Sequence, residues 1–109
     1  MEELGFEYFA AGEHYMRGDP PGPTHASLPV LGVAAGATET IRLLSSILLV
    51  PFYQPLVLAR LTASLDVASG GRFILGVGVG GEYPQEFEAA GLKVSQRGRR
   101  TNECLDAVR

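Results

Sequence analysis

An α/β fold built on a parallel sheet is what this sequence predicts, and three observations predict it. Aliphatic runs alternate with helical patterns along the chain, the helical patterns open on proline or a capping residue, and the aliphatic runs are too continuous to leave one face for water. Such alternation is the mark of βαβ units, and unbroken apolar strands suit a sheet covered on both faces.

Met1 to Leu4 reads as the last turn of a helix stopped by Gly5, which enters the left-handed conformation cheaply. Phe6 to Ala11 follows as a short strand. Gly18 to Pro23 can be neither helix nor central strand, because its prolines remove donors and fix the backbone. Ser27 is the expected N-cap of a helix over Leu28 to Ala37, with Pro29 in its first turn. Ile41 to Val50 is an aliphatic strand interrupted by Arg42, Ser45 and Ser46. Pro55 then opens a helix over Leu56 to Ala68, in which Leu58, Leu61, Leu65 and Ala68 recur at helical spacing, and Ser69, Gly70 and Gly71 stop it. Phe73 to Val79 is a third buried strand, and Pro84 to Ala90 gives one or two helical turns carrying acidic residues. Ser95 is the expected cap of a last helix from Gln96 to Arg109, with Thr101, Leu105 and Val108 as a thin apolar stripe.

The pattern begins and ends in mid-architecture, so residues 1–109 are expected to be a fragment of a single domain. Its two unpaired sheet edges would need a partner or further sequence to cover them.

A composition of 46% hydrophobic and 19% charged residues is that of an ordinary globular protein. A net charge of −3 and a pI near 5.3 leave no basic footprint, so neither nucleic acid nor an anionic membrane has electrostatic support as a partner. Arg97, Arg99 and Arg100 form the basic cluster, and with Glu103 and Asp106 close by they read as a solvated, salt-bridged face. Cys104 is the single cysteine, which excludes an internal disulfide and a cysteine-rich zinc site and fits a cytoplasmic compartment. The longest apolar stretch, Ile47 to Ala59, contains Pro51, Gln54 and Pro55 and is too short to span a bilayer.

In a parallel α/β architecture functional groups gather where strands end, and three such places stand out. Glu13-His14 follows the first strand, and histidine exchanges a proton near neutral pH without help, so the pair suits proton transfer or hydrogen bonding to a polar cofactor ring. A solvated loop pair fits the same two residues, and His25 reads as an exposed loop residue. Ser45-Ser46-Ile47 interrupts an aliphatic strand, either as a bulge against a ligand or as hydroxyls bonded to backbone. Gly76-Val77-Gly78-Val79-Gly80-Gly81 formally fits a phosphate fingerprint, but Glu82 and Pro84 follow where a long helix should begin. A glycine-rich strand end beside a flat ring, or a strand with small inward residues, is the better reading.

Taken together, LGFEYFAAGEHY, the long segment TIRLLSSILLVPFYQPLVLARLTASLDVASGGRFILGVGVGGEYPQEFEAAG, and QRGRRTNECLDAVR resemble the bacterial luciferase-like monooxygenase family over essentially the whole chain. The resemblance implies a (β/α)8 TIM barrel of which this chain is about strands two to four, with FMN or the deazaflavin coenzyme F-420 at the carboxyl ends of the strands. It implies His14 as the catalytic group that assists proton transfer or stabilises a flavin intermediate, with Glu13 beside it at the cofactor. Ser46-Ile47 matches the family's bulge, which in many members is a non-proline cis peptide behind the ring, and Gly78, Val79 and Gly80 match the strand end that lines the ring. Deazaflavin-dependent sugar phosphate dehydrogenases of the family carry an acid directly after the strand-four glycines, whereas Gly81 stands there and Glu82 is one residue late.

The implied activity is that of a flavin-dependent monooxygenase or oxidoreductase, acting on paired donors with incorporation or reduction of molecular oxygen, or transferring hydride through the deazaflavin. Its partners would be the cofactor and a small organic substrate. A barrel of this type takes about 250 residues and holds the cofactor phosphate with loops after strands seven and eight, so this piece alone is expected to bind cofactor weakly and turn over nothing. The alternative is a non-catalytic, truncated barrel module that oligomerises through its open edges.

Overall fold

The computed structural model describes all 109 residues. In chain order its elements are β1 (Tyr8–Ala11), α1 (Ser27–Ala37), β2 (Arg42–Ser45), β3 (Leu48–Leu49), α2 (Pro55–Ala68), β4 (Phe73–Ile74), β5 (Val77–Gly78), α3 (Pro84–Ala89) and α4 (Arg97–Val108), with 3-10 turns at Glu2–Leu4, Val50–Phe52 and Val94–Gln96. Strands and helices alternate as expected. β1, β2 and β4 form one parallel sheet in that order, and β3 pairs with β5, also in parallel.

The strands expected over Ile41 to Val50 and Phe73 to Val79 are each broken into two short ones. β2 and β3 are separated by the Ser46–Ile47 peptide, which is cis, as the resemblance implies. The break is stitched by Ser45, whose buried hydroxyl donates to the Gly76 carbonyl and accepts from the Gly76 amide, both at 2.9 Å. A side chain thus satisfies backbone groups where the regular ladder lapses. Gly76 is required at this point, since a Cβ there would run into the Ser45 carbonyl.

One face of the sheet carries the core. Leu28, Leu31, Ala34 and Ala35 of α1 and Leu58 and Leu65 of α2 pack against Ile41, Leu43, Leu48 and Val50, with Cys104 of α4 joining them. The thin dimension of the chain is 16 Å, which is one sheet plus one helix layer. Strand alternation puts Tyr8, Ala10, Leu44 and Ile74 on the other face, where all are at least partly exposed. The sheet is therefore open on one side, although its aliphatic runs predict cover on both.

Three details correct the sequence reading. Ser27 is the first helical residue rather than the cap, and its hydroxyl donates to the Ala11 carbonyl at 2.9 Å. The orphan Ser27 amide at the start of α1 is instead capped at 3.1 Å by Glu13, which arrives from the loop after β1. Ser95 lies within the Val94–Gln96 turn, and α4 begins at Arg97 with no side-chain cap. In α4, Thr101 and Cys104 are the buried residues, while Leu105 and Val108 are only half-buried.

Arginines bind the layers together. Arg72 donates to the carbonyls of Ala35, Thr38, Ile41 and Ser69 and to the Thr38 hydroxyl, at 2.7–3.0 Å. It joins the end of α1, the entry to β2 and the end of α2. Arg99 pairs with Glu103 at 3.4 Å on the solvated face. Arg100 departs from that expectation by reaching the carbonyls of Pro51 at 2.6 Å and Tyr53 at 3.3 Å. No helix is long and apolar enough to cross a membrane.

Candidate functional site

At the carboxyl end of β1 the chain turns through Gly12, Glu13 and His14 and lies across the end of β2. A Cβ on Gly12 would come within 2.6 Å of the Ser46 carbonyl, so only glycine allows this approach. The loop and the cis step together bound an open cavity of about 440 Å³, whose walls include His14, Arg17, Thr24, His25, Ser46, Ile47 and Glu82. Ile47 is its one hydrophobic wall residue, 42% exposed.

His14 is held from several sides. Its Nδ1 faces the Glu86 carboxylate, 3.2 Å from Oε1, and its Nε2 lies 3.9 Å from Oε2 of the exposed Glu82. The Tyr83 ring meets the imidazole edge-on at 5.2 Å. Glu86 is fully buried, and its Oε1 also accepts the backbone amides of Tyr15 at 2.6 Å and Met16 at 2.9 Å. Tyr15 stacks on Phe52, which leans on Phe87 beside Glu86, with both centroid separations 4.6 Å. The turn that presents His14 is thus fixed by a carboxylate and an aromatic column contributed by α3 and the Val50–Phe52 turn.

Glu13 points the other way. Its carboxylate is buried and accepts from the Ser27 amide at 3.1 Å, the Leu49 amide at 2.9 Å and the Tyr53 hydroxyl at 3.1 Å. Burial first, then contact with Tyr15 and the Glu13 charge, push the Tyr53 phenol well above its ordinary value, which keeps it a donor.

A cavity at the ends of parallel strands, walled by a histidine and a cis serine step, is the arrangement the sequence resemblance implied. The whole chain, residues 1–109, matches the luciferase-like monooxygenase family. The chain belongs to that family. It is 32% identical over 108 residues to the 4-hydroxyprotoasukamycin monooxygenase of Streptomyces nodosus subsp. asukaensis, an alignment that covers 99% of this chain and 28% of the relative. It is 31% identical to the FMNH(2)-dependent dimethylsulfone monooxygenase of Pseudomonas putida, over 99% of this chain and 30% of that protein. Among solved structures, the monooxygenase RslO1 from Streptomyces bottropensis superposes with a TM-score of 0.86 at 34% identity, over 97% of this chain and 32% of its own. The chain therefore spans about three tenths of the length of these relatives.

Within this luciferase-like chain the expected site residues divide. His14, Ser46 and Ile47 meet at one cavity. Glu13 also lines it, while its carboxylate oxygens are engaged by the chain's own donors, which makes it a buried staple between β1, α1 and β3. Gly78, Val79 and Gly80 are not among the cavity walls. The space a Cβ would take on Gly78 is filled by the Ile47 side chain, and a Cβ on Gly80 would touch Phe87 at 3.3 Å and Leu49 at 3.4 Å. These glycines make room for the protein's own side chains, and Gly80 and Gly81 also turn the chain at φ 65° and 108°. The helix after them, α3, is six residues long and opens on Pro84, which agrees with setting aside the dinucleotide fingerprint.

The residues that sequence reasoning missed are Glu86 and Arg17, while His25, an exposed loop residue as expected, and Glu82, the acid one residue late, both reach the cavity. Glu86 reads in sequence as one more solvated acid of a short helix, and its partner His14 is 72 positions away. The one local signal is that it precedes Phe87, which is also fully buried.

Proposed function

We propose that this chain supplies one wall of a flavin site in a (β/α)8-barrel oxidoreductase, its three ribbons corresponding to strands two to four and residues 1–109 to part of one barrel domain. The observation that carries the reading is that His14 and the Ser46–Ile47 step open onto the same cavity at the carboxyl ends of parallel strands. An exposed Ile47 side chain within a rim of Arg17, Thr24, His25 and Glu82 fits a planar heterocycle with polar edges. Ser46 and Ile47 would hold the ring, and the rim would hydrogen-bond its polar edge or the substrate.

When bound, a reduced flavin supplies two electrons for the reduction of dioxygen or of an organic substrate. The chain's own contribution is proton management and exclusion of water. His14, one quarter exposed, holds or releases a proton at the cavity wall. Glu13 touches no reacting atom in this reading and keeps the turn before His14 in register with α1 and β3. FMN is the favoured cofactor, because a relative that matches nearly the whole chain is named for it.

Hydride transfer through the deazaflavin is the second reading, and Glu82 favours it. Although one residue late in sequence, this side chain reaches the cavity and comes within 3.9 Å of His14 Nε2.

Fluorescence titration of the whole protein with FMN and with the deazaflavin coenzyme separates these readings. Micromolar quenching of one cofactor, with turnover lost in His14→Ala but affinity kept within a few-fold, is the expected result. Failure of both cofactors to bind would overturn the proposal, and a large assembly without chromophore would favour the scaffold module.

A further inference from the structure

We infer that Glu86 is a positioning residue that fixes the tautomer of His14, so that the imidazole carries its hydrogen on Nδ1 and turns a bare Nε2 toward the cavity. The role deepens the flavin-site reading and rests on it for its catalytic meaning, while the hydrogen-bond arrangement stands by itself.

The argument starts from what each neighbour can do. Backbone amides only donate, and two of them, Tyr15 and Met16, converge on Glu86 Oε1 at 2.6 and 2.9 Å. That oxygen must therefore accept. His14 Nδ1 lies 3.2 Å from the same oxygen and 3.4 Å from Oε2, and an acceptor facing an accepting carboxylate would be repelled. The favourable arrangement has Nδ1–H donating to Glu86. A neutral imidazole has one hydrogen, so Nε2 is left as the acceptor.

Nothing else nearby reverses this choice. Nε2 has Glu82 at 3.9 Å, beyond hydrogen-bond reach, and Glu82 is well exposed. The edge-on Tyr83 ring fixes the plane of the imidazole without competing for either nitrogen. Glu13, the buried carboxylate of the loop itself, is occupied by Ser27, Leu49 and Tyr53. His14 is thereby set to take a proton at Nε2 from whatever lies in the cavity, and Glu86, which does not line the cavity, acts only through it.

The test is long-range ¹H–¹⁵N NMR of the histidine side chains in the whole protein, read above the pH at which the imidazole is neutral. The expected spectrum shows His14 protonated at Nδ1 in the unmutated protein. In Glu86→Gln one oxygen remains for the Tyr15 and Met16 amides, while the new amide group opposes Nδ1–H, so the Nδ1–H form should lose its dominance and Nε2–H should grow. Circular dichroism checks that the variant is folded, and Glu86→Asp, which keeps the carboxylate, should retain the Nδ1–H form. Dominant Nε2–H in the unmutated protein, or an unchanged tautomer ratio in a folded Glu86→Gln protein, would overturn the inference. FMN titration of the same samples keeps the two claims apart, because cofactor binding can fail while the tautomer result stands, and the reverse.

Discussion

Ile47 lays its side chain across the α-carbon of Gly78, so that a methyl group added to the glycine would occupy the space of the Ile47 Cδ1. The one hydrophobic wall residue of the cavity is therefore seated on a bare position of the neighbouring ribbon. Because the clash falls on the far end of a side chain, Gly78→Ala should be survivable and should push Ile47 into the cavity. The expected cost is about 1–3 kcal/mol in denaturant unfolding, with cofactor affinity reduced. Adding Ile47→Val removes the offending methyl, so the double variant should recover most of the loss, and simple additivity would refute the contact. Gly76→Ala meets the Ser45 carbonyl instead and should be worse, with no side-chain rescue.

Glu13 gives the second prediction. Its carboxylate is the shared acceptor for two backbone amides and the Tyr53 hydroxyl. Each buried donor left without a partner costs about 1–3 kcal/mol, so Glu13→Ala should lower stability by about 3 kcal/mol or more. Tyr53→Phe, which removes one of the three bonds and leaves the carboxylate with the other two, should cost about 1 kcal/mol. Equal losses from the two variants would contradict the staple role.

These residues also measure how far the sequence could be read. Helix α2 was legible because Leu58 and Leu65 fall on one face and Pro55 marks its start, all within fourteen residues. The turn at Glu13-His14 was legible as a place, since strand ends in parallel sheets collect function. The directions of its two side chains were not, because they depend on Ser27, Leu49, Tyr53 and Glu86, which reach the turn from elsewhere in the chain. The break in the second ribbon was flagged by Ser45-Ser46-Ile47, whereas the one between Ile74 and Val77 in the third carried no such local mark. That the Ser45 hydroxyl bonds to backbone was one of the two readings its sequence allows, but its partner Gly76, 31 positions away, could not be named from the sequence.

Glu2 sets the acid response of the amino-terminal turn. Its carboxylate accepts from the amides of Glu39, Thr40 and Ile41, and these backbone bonds lower its pKa from 4.5 to about 2. A carboxylate depressed in the folded state contributes stability that is fully present above its unfolded value and is lost as the pH falls through its folded value. The wild type should thus exceed Glu2→Gln in stability above pH 4.5, and the gap should close between pH 4.5 and 2. Unfolding midpoints measured across that window check it, and a gap that widens on acidification would show the wrong sign.

Arg72 carries the last prediction, one about geometry rather than charge. Its guanidinium serves four carbonyls and the Thr38 hydroxyl, and two of those carbonyls, Ala35 and Thr38, lie at the end of α1. A cation is favourable at a helix carboxyl end, and lysine would keep that part. Lysine cannot reproduce the planar fork, because its three hydrogens leave one point and cannot reach acceptors at the end of α1, the entry to β2 and the end of α2 at once. Arg72→Lys should therefore cost about 2 kcal/mol, the scale of losing one or two hydrogen bonds to a charged group, and Arg72→Ala only modestly more. Hydrogen exchange should quicken first at Leu43, whose amide is bonded to the Arg72 carbonyl at 2.9 Å, and at the last turn of α1. If Lys at this position matches the wild type in unfolding midpoint, the charge alone is what matters and the fork argument fails.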